Sequence, residues 1–595
     1  MRTRDVERSS LRDLEPDPAN QSTYSPETSP PARHDLRLVL LAVIIGLSSG
    51  LVVVCLRVAL DWARLLLLKN WLEGRVPIIL VPAAGGLAAA LMVQKFFRRV
   101  RGSGINETRA ALYLNKGYVS LRTTIGSFLT SALAIGSGHP LGPEDPAVLI
   151  GAGLASFLGR RMRLSRESLS RLAPVGAAAG IAGALNAPIA AVLFVIEVVI
   201  GSWNAATLGS VVVAAVSSVV AVRYFLGASS LFQLAAAHVG GPREFLGYAA
   251  IGVVGGLVSL LFDRFIREVR ARAAVLPGWT YALQVAITGL IVGAIAHVGF
   301  PQILGTGYAV IGQATYGQFG WKLLLGLLAL KLFVTALSFA TRTPGGIIAP
   351  TLFVGAMLGC ALSGIETAFT AHATASASAY ALVGMGVLVA GVLRAPLTAV
   401  LVVVEVGGSY WMILPAILAI SIAYFLARTL QSRSLLELLG SQDGMRLPTI
   451  EEQKPQSALK VQDAMQAPDF PVVDSSLTLR QAWRQVADWP GDVIFVRHTG
   501  EDWTVIDRAA LDQLEAISDP QQRLEDTMDA SPMPQLYPDL PLDTTLRYLH
   551  RWPILPVVSR ANIKTLEGVV TMNAVMARYQ ALEPLDCPSE SLPSR

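Results

Sequence analysis

The sequence predicts an all-α polytopic membrane domain built as an internal repeat with broken helices, followed by a cytoplasmic α/β domain. Three observations carry that prediction. Of 595 residues, 52% are hydrophobic and 15% charged, and most of the charge lies near the ends. A long segment recurs 208 positions further along the chain. Beyond about residue 440, polar sequence of mixed charge alternates short β-rich runs with helical stretches, as βαβ-like units would.

Residues 1–34 are polar and rich in Ser, Pro, Arg and Asp, the composition of a disordered cytoplasmic tail. No early apolar stretch ends in a small-residue cleavage site, so no signal peptide is expected. Residues 35–440 form the membrane domain, with halves at about 35–230 and 245–440. The run LRLVLLAVIIGLSSGLVVVCLRVAL at 36–60 is long enough to cross a bilayer. Basic clusters (Arg98, Arg99 and Arg101; Arg160, Arg161 and Arg163) separate apolar segments. Such loops face the cytoplasm, so the net charge of +5 reflects membrane topology and not nucleic-acid binding. Both termini are expected on the cytoplasmic side of the cell membrane. A linker occupies 441–456, a soluble domain 457–585, and a tail 586–595.

Of the three cysteines, Cys55 and Cys360 are expected to fill core positions, and Cys587 lies in the tail. No disulfide framework is implied. The seven histidines never pair at metal-ligand spacing, which excludes an H-E-x-x-H protease and any metal site of that type.

NAPIAAVLFVIEVV starts at Asn186 and RAPLTAVLVVVEVG at Arg394; across Ala173 to Val198 against Ala381 to Val406, 14 of 26 positions are identical. Nearby, Gly142, Pro146 and Gly151 align with Gly346, Pro350 and Gly355, at an offset of 204. Internal repeats in a membrane protein point to two halves that share a site built from broken helices. Three Gly-rich breaks precede apolar runs: GSGIN (102–106), GPEDP (142–146) and GGIIAP (345–350). Breaks at membrane depth require protein or a polar cavity to satisfy the freed backbone. Close helix packing by glycine is the alternative for any single one, but it explains poorly why all three precede an apolar run. Each break can aim a helix N-terminus, with its unpaired N–H groups, at one point and so bind an anion without a buried full charge. Glu144 sits at such a start, beside Pro143 at the first helical position. It is a tethered anion that a free one can displace, and an intramembrane ionisable residue of this kind is a functional candidate.

These motifs resemble those of the CLC chloride channels and chloride/proton antiporters. The resemblance covers roughly 36–440 and the C-terminal domain. It rests on GSGIN, GPEDP and GIIAP in order, with the NAP…E segment after the second. It implies a homodimer in the lipid bilayer, with one pore per subunit and the halves inverted. Carried over, Ser103 donates its hydroxyl to the central anion and Ile347 and Ile348 donate backbone N–H groups. Gly142 and Gly346 belong to the same anion site, Glu144 is the gate, and Glu197 pairs structurally. Asn106 replaces the usual proline. Pro143 removes a possible N–H donor. Asp145 replaces glycine, and either couples electrostatically to Glu144 or simply occupies an N-terminal helix position that favours acids. Val198 stands where antiporters of the family commonly carry an inner glutamate. Leu436, in RSLLELL, stands at the position of a tyrosine that closes the inner side; Tyr410 and Tyr424 lie nearby as substitutes.

Residues 457–585 resemble a pair of CBS modules, most clearly in VSRANIKTLEGVVTMNAVM after WPILPVV. Such pairs in related proteins bind adenine nucleotides through a ribose-binding Asp. The matching positions are Ala510 and Ala574, which favours a structural or dimerising role and no cofactor.

The expected function is non-enzymatic: a passive, Glu144-gated pathway for chloride or similar monovalent anions. The alternative is loosely coupled chloride/proton antiport, with protons as the second partner. Divalent-cation transport is a distant alternative, because the breaks offer N–H donors and few acids. GLSSG at 46–50 lacks a paired base for nucleophilic chemistry.

Overall fold

The computed structural model describes residues 31–72, 78–100, 102–201, 205–227, 232, 234, 235, 241, 244–370, 376–442, 459–498, 503–528, 533–538, 540–559 and 565–580. Most of the expected tail at 1–34, most of the linker at 441–456, the tail at 586–595 and Cys587 lie outside the described residues. The chain divides into two compact units, Met1–Thr449 and Ile450–Arg595.

The first unit is built from α-helices. In its first half these are α1 (Pro31–Leu72), α2 (Leu80–Lys95), α3 (Gly104–Tyr113), α4 (Leu121–Gly136), α5 (Glu144–Arg161), α6 (Arg166–Leu185), α7 (Pro188–Phe194) and α8 (Ala205–Leu226). The second half contains α9 (Glu244–Val275), α10 (Tyr281–His297), α11 (Tyr308–Thr315), α12 (Trp321–Ala340), α13 (Ile348–Thr370), α14 (Ala377–Leu393), α15 (Pro396–Gly407), α16 (Ile413–Leu430) and α17 (Leu435–Gln442). Helix α1 starts at Pro31, inside the segment assigned to the tail. Among the described residues, eight helical spans are long and apolar enough to cross a membrane. Helix α1 shows why: Leu41, Ala42 and Ile45 point inward, yet the outward face is also apolar, with Leu40, Ile44, Leu47 and Leu51 exposed. A helix apolar all round suits a lipid surface. Cys55 falls on that outer face and is exposed, contrary to the core role expected of it, whereas Cys360 is buried. The helical period places Cys55 one turn from exposed Leu51 and in line with exposed Val58.

The repeat reappears in three dimensions. Helix α5 crosses α6 at Gly151 and Gly176, where a Cβ on either would lie 2.1 or 2.2 Å from the other's carbonyl oxygen. Helix α13 crosses α14 at Gly355 and Gly384, with equivalent distances of 2.3 and 2.2 Å. Only glycine permits backbones to approach this closely. Helices α6 and α14 both end on a left-handed residue, Asn186 (φ 54°) and Arg394 (φ 60°). An Ala follows, and then Pro188 or Pro396 opens the next helix. That is the local meaning of NAP and RAP: a reversal of direction, then a proline with φ already set for a helix.

The two short helices cap one another. Glu197 accepts from the N–H groups of Leu397 (3.0 Å) and Thr398 (2.8 Å) and from the Thr398 hydroxyl (2.6 Å). Glu405, its repeat partner, accepts from the N–H groups of Ile189 (3.0 Å) and Ala190 (2.7 Å). Each carboxylate satisfies the unpaired donors at the start of the other half's helix. The halves differ after this point, since α7 runs into a π-helical turn at Val195–Ile200 that carries Glu197 and Val198.

In the second unit, β1 (Val472–Asp474) runs parallel to β2 (Val493–Arg497), which is antiparallel to β3 (Trp503–Asp507). β4 (Ile554–Val558) is antiparallel to β5 (Leu566–Thr571), and Leu536 bridges Val557 in parallel. Helices Leu479–Gln485 and Arg508–Ile517 attend the first set, Asp543–Leu549 and Met572–Gln580 the second. A helix–strand–strand–helix order thus runs twice, preceded in the first set by the strand β1 and in the second by the isolated bridge at Leu536. Asp474 grips Arg497 with two bonds (2.7 and 2.9 Å) and holds its guanidinium above the usual arginine range.

Candidate functional site

The three breaks meet inside the first unit. Gly142 and Gly346 form a two-residue antiparallel bridge: the Gly142 N–H donates to Gly346 O (2.8 Å) and the Gly346 N–H to Gly142 O (2.7 Å). Their amides therefore brace the second break against the third, and they do not point at an anion as the sequence suggested. Gly345, at φ +149° and packed against Leu141, makes the turn that permits the bridge. Beyond it α13 begins. Ile347 and Ile348 are buried at its start, where helical amides have no acceptor within their own helix.

Helix α5 begins at Glu144, with Pro143 as its N-cap and not its first helical residue. The Glu144 side chain is fully buried. Oε1 accepts from the Tyr308 hydroxyl at the start of α11. Oε2 lies so close to Gly142 that a Cβ there would collide with it, and the Ala349 N–H in the first turn of α13 faces the carboxylate. Arg57 of α1 contributes a positive field on this side while its guanidinium donates to Gly183 O (3.1 Å) and Ala184 O (2.5 Å). A cavity of about 270 Å3, lined by Arg57, Asp61, Arg64, Pro143, Gly305 and Tyr308 among others, opens beside the glutamate. Arg57 and Arg64 outweigh Asp61 in this lining, and a net positive mouth draws anions.

Ser103 caps α3, as its position before the helix predicts. Its hydroxyl donates to Asp145 Oδ1 (3.1 Å), and the Ile105 N–H donates to the same oxygen (2.5 Å). Asp145 belongs to the first turn of α5, but its carboxylate crosses to the N-terminus of α3. Asn106 donates from Nδ2 to Leu436 O (2.8 Å), which ties the start of α17 to the start of α3. Leu436 is thereby placed next to the first break, and Tyr410 and Tyr424 form no part of that contact. Val198 is buried in the π-helical turn, and Glu197 is engaged in capping α15.

Sequence reading missed Tyr308, Arg57 and Lys331. Tyr308 follows GTG at 305–307, a fourth Gly-rich break of the type that marked the other three. Arg57 and Lys331 are charges inside apolar runs, a signal sufficient to single them out. Lys331 is fully buried, donates to Ile303 O (2.8 Å) and Gly305 O (2.6 Å), and lies 4.9 Å from the Phe353 ring centre. It closes the end of the 3-10 turn at Pro301–Ile303 that leads to Tyr308.

The family described as voltage gated chloride channel matches residues 85–428. A putative chloride channel protein, ClcB-like, from Ralstonia nicotianae is 34% identical over 381 residues, covering 62% of this chain and 87% of the relative. The H(+)/Cl(-) exchange transporter ClcA of Yersinia pseudotuberculosis is 29% identical over 438 residues, covering 70% and 91%. Among solved structures, a slow cyanobacterial Cl-/H+ antiporter superposes with a TM-score of 0.63 at 22% identity, covering 70% of this chain and 99% of that one. A eukaryotic CLC transporter superposes at 0.60 and 21%, covering 90% and 98%. The latter coverage reaches into the second unit, because the first ends at Thr449.

Proposed function

Because this chain belongs to the voltage gated chloride channel family, we propose that it exchanges chloride or a similar monovalent anion for protons across a membrane, with Glu144 as gate and proton carrier. The observation that carries this reading is the Glu144 carboxylate. It is fully buried at a helix start, where the Tyr308 hydroxyl and the Ala349 N–H in the first turn of α13 face it. A carboxylate there competes with a free anion for the same donors, and a proton settles the competition in favour of release. Helix ends and single hydroxyls suit transport, since they bind an anion without the full countercharge that would trap it.

The passive channel inferred from Val198 has less support than exchange. Relatives of this chain, such as the ClcA proteins, are named as exchangers. A valine at that position requires another inner proton route but does not forbid one. The family resemblance also supports a homodimer, and an exposed apolar surface at Ile189, Leu397, Tyr410, Trp411 and Leu414 is available to lipid or to a second copy. The helix–strand–strand–helix order that recurs in the second unit supports a CBS-like pair, with Ala510 and Ala574 favouring a structural role over nucleotide binding. The basic clusters favour cytoplasmic termini.

The test is flux from proteoliposomes with simultaneous chloride and proton readouts. Wild type should take up protons against a chloride gradient, and Glu144→Gln should move chloride without protons. Wild-type chloride flux with no proton movement would restore the passive channel; unchanged coupling in Glu144→Gln would remove Glu144 from the mechanism.

A further inference from the structure

The three breaks converge on a point that is already occupied. Asp145 is fully buried, and its Oδ1 takes both the Ser103 hydroxyl and the Ile105 N–H, two donors that would otherwise face an anion. The Gly104 N–H, at the start of the same helix α3, also faces this carboxylate. On the other side it is pressed against the third break, where a Cβ added to Gly346 would lie 2.5 Å from the Asp145 Cβ. The void that touches all three breaks, lined by Gly102, Gly104, Pro146 and Gly345 among others, measures about 10 Å3. That volume admits a single water at most, and a chloride ion is larger. An N-terminal acid on α5 would ordinarily serve its own helix; this one serves another helix 42 residues away.

We propose that Asp145 is a second tethered anion, which fills the cradle at the start of α3 and must leave it, protonated or displaced, before a transported anion can bind there. This rests on the anion-transport reading above and extends it. Glu144 and Asp145 then form two carboxylate gates in series on one helix start, and Asp145 supplies an additional proton-binding group in a chain whose residue 198 cannot bind one. A neutral Asp145 loses the charge that makes its bonds to Ser103 and Ile105 strong, so acid frees the cradle. Of the charged and titratable groups around it, Glu144 precedes it on α5. Tyr308 of α11 and Arg57 of α1 lie on the Glu144 side, and Glu107 of α3 lines the small void. The faces of α4, α6 and α13 against α5 present Thr124, Ser127, Ser131, glycines and Ala349.

The experiment is chloride binding by calorimetry to the purified full chain across a pH series from about 5 to about 8. It uses a Glu144→Gln background, so that any remaining carboxylate competition belongs to Asp145. Binding to Glu144→Gln should tighten as pH falls. Adding Asp145→Asn should tighten binding at pH 7 on the order of tenfold and flatten its pH dependence, since loss of one charge-assisted contact corresponds to about that ratio. Asp145→Gly, which vacates the cradle, should do the same and serves if the asparagine form is unstable. A pH-independent affinity in Glu144→Gln, or an unchanged pH dependence after either Asp145 substitution, overturns the proposal while leaving anion transport intact. Absence of chloride binding in all variants, with no chloride flux in wild-type vesicles, overturns the transport reading and this proposal with it.

Discussion

Glu197 decides whether the end of the NAP helix is a proton station or a structural clamp, and its geometry gives a definite expectation. Glu197→Ala removes the acceptor for three donors. The Leu397 N–H belongs to a residue 49% exposed, whereas Thr398 is 1% exposed and would keep both its N–H and its hydroxyl buried without a partner. Losing a charged acceptor from buried donors costs about 1.5–3 kcal/mol per bond before relaxation, and losing a helix cap about 1 kcal/mol. With relaxation, Glu197→Ala should destabilise the protein by about 2–4 kcal/mol. Glu405→Ala leaves only Ala190 as a buried orphan, because Ile189 is 58% exposed; its cost should be about 1–3 kcal/mol. Glu197→Gln keeps one acceptor oxygen and should lose roughly half as much as alanine. Both glutamates hold the same α7–α15 contact, so the double alanine variant should fall short of additivity by about 0.5 kcal/mol or more. The assay is thermal unfolding of the purified protein followed by tryptophan fluorescence, paired with proton and chloride flux from vesicles. The clamp reading predicts lowered unfolding temperature with the chloride-to-proton ratio preserved in Glu197→Gln. Intact thermal stability with abolished proton movement would refute it and make Glu197 a proton carrier.

Three further outcomes follow from the same coordinates. On the proposed gating role of Glu144, Tyr308→Phe removes a hydroxyl that donates to the gate; a bond to a carboxylate biases a closed state by roughly tenfold to a hundredfold, so chloride flux should rise, and a fall in flux would contradict that role for Tyr308. Gly355→Ala places a Cβ 2.3 Å from Gly384 O and should cost about 1–3 kcal/mol or more through overpacking, seen as lost thermal stability, whereas Gly209→Ala, with nothing within 4 Å, should be neutral or stabilising. Lys331→Met fills a similar volume but leaves Ile303 O and Gly305 O without their donor, an expected loss of about 2–5 kcal/mol that unfolding measurements would register; an unchanged unfolding temperature would show that water replaces the ammonium.

Much of the membrane domain was legible along the chain because its signals are local. Apolar runs identify spans, since lipid demands an apolar surface and internally bonded backbone. NAP and RAP identify two equivalent reversals, because a left-handed residue followed by proline dictates its own geometry. The shared glycines of the repeat proved to be two equivalent helix crossings. Cys55 shows the limit of the same signal: an apolar run says that a helix is buried in something, but not whether that is protein or lipid.

The partners inside the site were decided elsewhere. The sequence marked Ser103, Glu144 and Asp145 as chemistry-bearing residues at helix starts. It did not state that Ser103 donates to Asp145, that Gly142 and Gly346 occupy each other's amides, or that Asn106 reaches Leu436 across 330 residues. Nor did it connect Glu144 with Tyr308, 164 residues on. Turn chemistry, caps and hydrophobic period act over a few residues and determine where helices begin and which faces are apolar. Which helix start meets which carboxylate depends on how those helices cross, and crossings are set by close packing over the whole domain. The sequence alone therefore determined the spans, the repeat, the breaks and a glutamate at a helix start, while tertiary packing decided that the Asp145 carboxylate crosses to the start of α3 and takes the Ser103 and Ile105 donors.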